Sequence, residues 1–267
     1  MADTAFDPRS YWEQRLGGHF NRSGVGYLKK SPEINRWMYR TRRSALAELI
    51  GNLGIDPTKS RVLDIGSGTG EIVSFWKERG TKELTGLDFT QVSVDALKVK
   101  YPEYRFEQAD AGEPGMNLGE QYDVVTIFDV LFHIVDDQRF ENAAKNIAAQ
   151  LKPNGIVIIT DVLGPVRVAD MVHCNNRSRS HYREVFDRLG LTTEEIRPLF
   201  YTGLPPAGIA SKVWRTFWTY VWEGITLIGS LPVLSTVCGA AMYGIDKLLR
   251  SMKMPTVSGK MAVLRKR

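Results

Sequence analysis

The residues with the clearest chemical purpose lie in Val62-Leu63-Asp64-Ile65-Gly66-Ser67-Gly68-Thr69-Gly70. A short apolar run ends in glycines at alternate positions, and a helical pattern follows. Glycine is needed where backbone must approach a ligand with no side chain in the way. The start of the next helix offers unpaired N–H groups and a partial positive charge. Many nucleotide binders share such a turn, and two details narrow it. A dinucleotide fingerprint wants another glycine five positions after the first, where this chain has Glu71. Asp64 would sit poorly beside a pyrophosphate and would suit a ligand with a positive ammonium group. Asp88 closes Leu84-Thr85-Gly86-Leu87-Asp88, 18 residues past Gly70. A carboxylate there can accept both hydroxyls of a ribose. Asp110-Ala111 closes a third run, where an acid could hold an adenine amino group, and a fourth ends in Phe128-Asp129-Val130-Leu131-Phe132-His133.

Positioning these groups is the work of alternating strands and helices. The pattern predicts strands at Arg61–Ile65, Glu83–Phe89, Tyr104–Asp110, Tyr122–Val130 and Gly155–Leu163. It predicts helices between them at Gly70–Arg79, Gln91–Tyr101 and Asp136–Leu151, the last closed by Lys152-Pro153-Asn154-Gly155. Such alternation means an α/β fold with a parallel, doubly wound sheet, and all four candidate segments fall at carboxyl ends of its strands, where open sheets bind ligands. A helix at Arg36–Ile50 and a flexible Gly24-Val25-Gly26 precede the first strand. A helix at His181–Leu189, a strand at Glu195–Phe200 and a last strand at Lys260–Leu264 follow the fifth. The expected division is an N-terminal helical lid or substrate segment (1–55), a core (56–200), a helical insertion (201–259) and a returning strand (260–267).

Composition sets outer bounds. At 267 residues, with 43% hydrophobic and 24% charged residues, the chain is one large domain or a domain with an elaboration, and disorder throughout is excluded. A net charge of +5 is too small to argue for nucleic acid. Cys174 and Cys238 cannot build a disulfide framework or a cysteine zinc site, which suits a reducing cytoplasm. Met1 to Arg22 carries charges throughout and no apolar run, so no secretory signal is expected. Asp136-Asp137, an adjacent acid pair near the candidate segments, reads as a helix start, so no metal site is expected. Charge is uneven. From Phe200 onward there are nine basic residues and two acids, with a run of aromatics from Trp214 to Trp222 and no charge from Gly224 to Ile245. Pro232 and its surrounding glycines break that stretch into two shorter helices. It is expected either to cap the sheet and wall an acceptor pocket, or to rest through 212–250 on the cytoplasmic membrane leaflet.

Residues 61–163 resemble the class I S-adenosylmethionine-dependent methyltransferases. The resemblance rests on the glycine motif, Asp88, Asp110, the segment Phe128–Asp137 and the Leu151-Lys152-Pro153-Asn154-Gly155 turn, in that order. It implies a Rossmann-like seven-stranded sheet whose antiparallel last strand is Lys260–Leu264. It also implies S-adenosyl-L-methionine as cofactor. Asp64, Gly66, Ser67, Gly68 and Gly70 would hold its methionine end and Asp88 its ribose. Phe89, Asp110 and Ala111 would flank its adenine, with Phe128 and Asp129 completing the site.

The reaction implied is in-line displacement at a sulfonium methyl, for which positioning and desolvation are the main tasks. A hydroxyl acceptor also needs a base. His133 is the first candidate, His181 with Tyr182 the second, and Asp129 and Asp161 are further acids at strand ends. His133 could equally pack beside the cofactor, and His181 could be an exposed helix-start residue. Arg177, Arg179 and Arg183 could bind an acidic group or form a solvated face. Tyr11 and Trp12 could close as a lid or pack on the domain. The expected reaction is O-methylation of a small molecule, a sugar or a lipid-linked glycan. The alternative is N- or C-methylation of an apolar, quinone-like or natural-product acceptor. A nicotinamide-dependent oxidoreductase is the remote reading, opposed by Glu71 and Asp64, and a cofactor binder without catalysis is another. No nucleic-acid partner is expected.

Overall fold

A computed structural model of the chain describes residues 7–28, 30–232 and 234–267. Residues 1–6 of the expected lid lie outside them. Three helices come first: α1 (Pro8–Gly18), α2 (Arg22–Val25) and α3 (Pro32–Asn52). Then come β1 (Arg61–Ile65), α4 (Glu71–Lys77), β2 (Glu83–Asp88), α5 (Gln91–Lys100), β3 (Arg105–Gln108) and β4 (Tyr122–Phe128). A single 3-10 turn at Leu131–His133 leads to α6 (Asp137–Gln150) and β5 (Leu151–Asp161). A short hairpin follows, β6 (Val168–Met171) and β7 (Cys174–Asn176), then α7 (Arg179–Asp187) and β8 (Leu191–Pro198). The chain ends with α8 (Lys212–Ile228), α9 (Ser235–Ser251) and β9 (Lys260–Lys266).

The seven-stranded sheet has the order β3-β2-β1-β4-β5-β9-β8. β1 to β5 run parallel, and β9 enters antiparallel between β5 and β8. Alternate residues of the buried strands feed two cores, as the period of two demands. Val62, Val124, Ile156 and Ile158 meet α3, α4 and α5 on one face. Leu63, Val125, Val157 and Ile159 meet α6 and α7 on the other.

The helices start where local chemistry supplies a cap. Ser31 accepts from Ile34 N–H, with Pro32 opening α3. Asp136 accepts from Arg139 N–H at 2.8 Å, so the acid pair is a helix start.

Three local readings change. Lys152–Gly155 is a kink within β5 and not a turn before it. Leu151 already pairs with Tyr122, the register then shifts, and Asn154 takes up the excess at φ +62°. The β6–β7 hairpin had no alternating pattern to announce it. It is anchored from outside, by Asn175 donating to the Val135 carbonyl at 2.8 Å. β8 begins four residues early, because a bulge at Thr193/Glu195 lets Leu191 continue along β9. The insertion holds two helices, α8 and α9.

Candidate active site

A cavity of about 1600 Å³ opens over the carboxyl ends of β1, β2, β4 and β5. Its floor is the glycine turn. Gly66 and Gly68 sit at φ +75° and +50°, and a Cβ on Gly66 would lie 2.2 Å from Val130 Cγ2. Only glycine fits there. Gly68 N–H donates to Asp88 Oδ2 at 2.8 Å, while Thr90 N–H and Oγ1 donate to Asp88 Oδ1 at 2.9 and 2.6 Å. Asp88 thus ties the turn to the end of β2 and still borders the cavity. Burial pushes its carboxyl above the usual carboxylate range.

Asp64 does not reach the cavity wall. Its register partner on β4 is Thr126, whose hydroxyl donates to Oδ1 at 2.7 Å, so the side chain is turned beneath the glycine turn. Oδ2 is buried with no partner among the described residues, and burial raises the carboxyl to about 6. Ser67 lines the cavity, whereas Gly70 packs under it against Leu97 and Tyr101. Phe89, Ala111 and Phe128 line the cavity. So does Asp110, although its Oδ2 is paired with Arg139 Nη2 at 2.6 Å and its Oδ1 accepts from Gly112 N–H.

Asp129 holds φ +59°, a strained setting for a non-glycine residue. Its N–H donates to Thr160 Oγ1 at 2.9 Å, that hydroxyl donates back to Oδ1, and Oδ2 accepts from Arg42. Arg42 is a buried cation on α3 that the sequence reading did not single out. A signal was there: Met38, Arg42 and Leu46 are spaced four apart on the buried face of the helix.

His133 borders the cavity. Its Nδ1–H donates to the His173 carbonyl at 2.9 Å, leaving Nε2 as the acceptor. Burial lowers its pKa to about 4, so the ring is neutral near pH 7. His181 does not reach the cavity. Ser178 caps α7 by accepting from His181 N–H, which turns the imidazole onto Phe140 at 5.7 Å between ring centroids. Tyr182 does not reach it either: buried, it donates its phenol O–H to Asp161 Oδ2. Asp161, at the end of β5, does line the cavity. Val162 N–H donates to its Oδ1, and burial raises its pKa to about 7. Arg177 is fully buried, donates to the carbonyls of Ile134, Val135 and Asp136, and pairs with Asp137. It fastens the loop after β4 and leaves nothing free for an acidic ligand. Arg179 and Arg183 are solvent-exposed.

The roof comes from segments distant in sequence. Tyr11 and Trp12 of α1 line the cavity, and Trp12 meets the His133 ring edge-on at 5.1 Å. Glu13 on the same helix accepts from Gln91 and Val92 N–H, capping α5. Tyr27 packs against Trp222 of α8, and both line the cavity. Glu71 pairs with Arg22 of α2 at 2.9 Å, so the side chain in place of a third glycine holds the roof to the floor.

The family described as a methyltransferase domain matches residues 36–196. The chain belongs to the class I S-adenosylmethionine-dependent methyltransferases. A ubiquinone biosynthesis O-methyltransferase of Aeromonas salmonicida (strain A449) is 29% identical over 106 residues, 38% of this chain and 43% of that protein. One from Bartonella tribocorum (strain CIP 105476 / IBS 506) is 28% identical over 102 residues, 37% of this chain and 40% of that protein. The match therefore spans about two fifths of these curated relatives. The magnesium protoporphyrin IX methyltransferase of Synechocystis PCC 6803 shares the fold over 100% of both chains, at TM-score 0.59 and 12% identity. The N-methyltransferase NodS of Bradyrhizobium japonicum WM9 covers 98% of this chain and 99% of its own, at TM-score 0.56 and 13% identity.

The cavity of this methyltransferase fits S-adenosylmethionine, the cofactor of its family. The Gly66–Gly68 turn is a cradle that side chains would fill. The orphaned Asp64 Oδ2 beneath it is a buried acceptor that an ammonium donor, or a water held by one, would satisfy. Asp88 has a lone pair to spare for a ribose hydroxyl, and Phe89 and Ala111 offer apolar surface to a base.

Proposed function

We propose that this methyltransferase O-methylates a hydroxyl on an apolar, ring-bearing small molecule. Asp161 carries the reading. It is a carboxylate on the cavity wall whose pKa of about 7 matches the task of a general base at neutral pH. The relatives named for ubiquinone biosynthesis O-methylation support the same reaction class. The wall above the floor is aromatic and apolar, with Tyr11, Trp12, Leu16, Tyr27, Phe132 and Trp222. That surface suits a quinol-like or phenolic acceptor better than a glycan.

S-adenosylmethionine supplies an electrophilic methyl on a sulfonium with a good leaving group. The chain's own residues do the rest. Asp88, Phe89 and the glycine turn hold the nucleoside, and Asp64 sets the charge beneath the methionine end. The roof excludes water. Asp161 takes the acceptor's hydroxyl proton; the Tyr182 phenol and Val162 N–H fix its two oxygens, so it faces the acceptor without a rotameric search. His133, neutral and keyed to the His173 carbonyl, shapes the wall and offers Nε2 as an acceptor.

The test is a pH profile and a fractionation. Asp161 must be ionised to act, so kcat/KM rises with pH and levels off above about 7. Asp161→Asn removes that limb and lowers kcat by about 10²–10⁴-fold, while titration shows S-adenosylhomocysteine affinity within about twofold. A limb near 4 would hand the role to His133. Methyl-labelled cofactor incubated with a cell extract should label the lipid-soluble fraction. Label in the glycan fraction, or none at all, overturns the acceptor reading.

A further inference from the structure

The helix α8 buries little of its length, unlike α9, the other helix of the insertion. Of its 17 residues only Arg215 and Thr226 are buried. α9, by contrast, packs along α3 and brings Met242 into the core. The outer side of α8 is apolar. Trp214, Phe217 and Trp218 form an edge-to-face cluster with ring centroids 5.9 and 5.3 Å apart, and they are 59, 51 and 47% exposed. Ile225 and Ile228 extend the stripe at helical spacing, and Leu231 carries it into the turn. In water this face is a liability, since a monomer seldom exposes so large a contiguous apolar patch without a partner.

We propose that α8 and the turn after it rest on an anionic lipid bilayer, and that the acceptor enters the cavity from that surface. Three observations select a bilayer. First, the exposed charges of residues 201–259 are Lys212, Lys247 and Lys253 against a single acid, Glu223, because Asp246 is buried and Arg250 is shielded beside Glu48. Aromatics with flanking lysines are the composition that sits at the headgroup level of anionic membranes. Second, no helix among the described residues is long and apolar enough to cross a membrane, so the contact lies along the surface. Third, the patch is continuous with the cavity. Tyr220 and Leu227 line the cavity and are also 70 and 64% exposed. An apolar molecule dissolved in the leaflet therefore meets α8 at the cavity's own wall and need not pass through bulk water. This route rests on the apolar-acceptor reading above; the docking itself does not.

Sedimentation of the full-length protein with vesicles tests docking without any methyl transfer. Vesicles of phosphatidylcholine with phosphatidylglycerol should retain at least about tenfold more protein than phosphatidylcholine alone, and added salt should reverse most of that gain. Tryptophan emission should shift to the blue on binding. The triple variant Trp214→Ser/Phe217→Ser/Trp218→Ser touches no cavity-lining residue, so it should keep its thermal transition and S-adenosylhomocysteine affinity while losing at least about tenfold in partitioning. Equal retention of the triple variant and the parent overturns the proposal. So does a concentration-dependent dimer that the triple variant abolishes, which would make a second copy the occupant. The Asp161→Asn variant should partition like the parent. Failure of docking therefore leaves the methyl-transfer reading standing, and loss of methyl transfer leaves docking standing.

Discussion

At and beneath the floor of the cavity, the acids each have a partner close in chain or register. Thr90 holds Asp88 from two residues away, Thr126 holds Asp64 from the adjacent strand, and Thr160 holds Asp129. In the roof the groups come from α1, the stretch around Tyr27, the β6–β7 hairpin and α8, and they meet across long sequence separations through rings and a few ion pairs. The floor is stiff because its bonds close within the sheet. The roof can part from it at a handful of contacts. A cofactor of fixed shape suits the first arrangement, and an acceptor that must enter and leave suits the second.

The sharpest test of the stiff half is Gly66→Ala. The new methyl meets Val130 at 2.2 Å with φ at +75°, so the turn must move. S-adenosylhomocysteine affinity should fall by at least about 100-fold, roughly 3 kcal/mol. Binding within a few-fold of the parent would mean that the floor yields as readily as the roof, and the contrast would fail.

Arg42 fastens α3 to the floor. It rises from α3 to pair with Asp129 at the end of β4, and its side chain is 7% exposed. Arg42→Met keeps the packing volume but leaves the carboxylate with Thr160 alone. Breaking a buried pair costs about 3–5 kcal/mol; Asp129 is 26% exposed, so urea unfolding should show a loss nearer the lower end. Arg42→Met/Asp129→Asn should recover part of it, because the uncompensated charge is gone. A double variant no more stable than the single would show that the charge pairing is not what fastens α3 to the end of β4.

The same contrast explains what could be read from sequence. The strands, the glycine turn and the acids at the strand ends follow from local pattern, the parallel sheet follows from alternation, and the antiparallel last strand follows only from the family resemblance. Strand parity was harder. Asp64 stands where an acid could face the ligand, yet its register with Thr126 turns it beneath the turn. His181 stands beyond the fifth strand at the start of a helix, and the Ser178 cap fixes its helical phase toward Phe140. Arg42 is visible as a cation on an apolar stripe, but no local pattern places α3 beside the end of β4, where Asp129 meets it. Asp161 is legible as an acid at a strand end; its tuning is not, because it comes from burial under the folded roof, opposed by the hydrogen bond from Tyr182, 21 residues away. The exposed face of α8 could be read as aromatic. Whether it turned inward or outward depended on tertiary contacts.

The mildest intervention concerns the hinge between the halves. Glu13 on α1 caps the start of α5 by accepting from Gln91 and Val92 N–H, and its charge faces the positive end of that helix. Glu13→Gln keeps the size and an acceptor oxygen but removes the charge, a loss of about 0.5 kcal/mol. If α1 opens as a unit over a floor that stays closed, amide hydrogen exchange within Pro8–Gly18 should speed by about twofold. Exchange in β1 and β4, and the urea midpoint, should not change. Equal acceleration in α1 and in the strands would show that roof and floor open together, and the acceptor would then need a route other than the parting of α1 from α5.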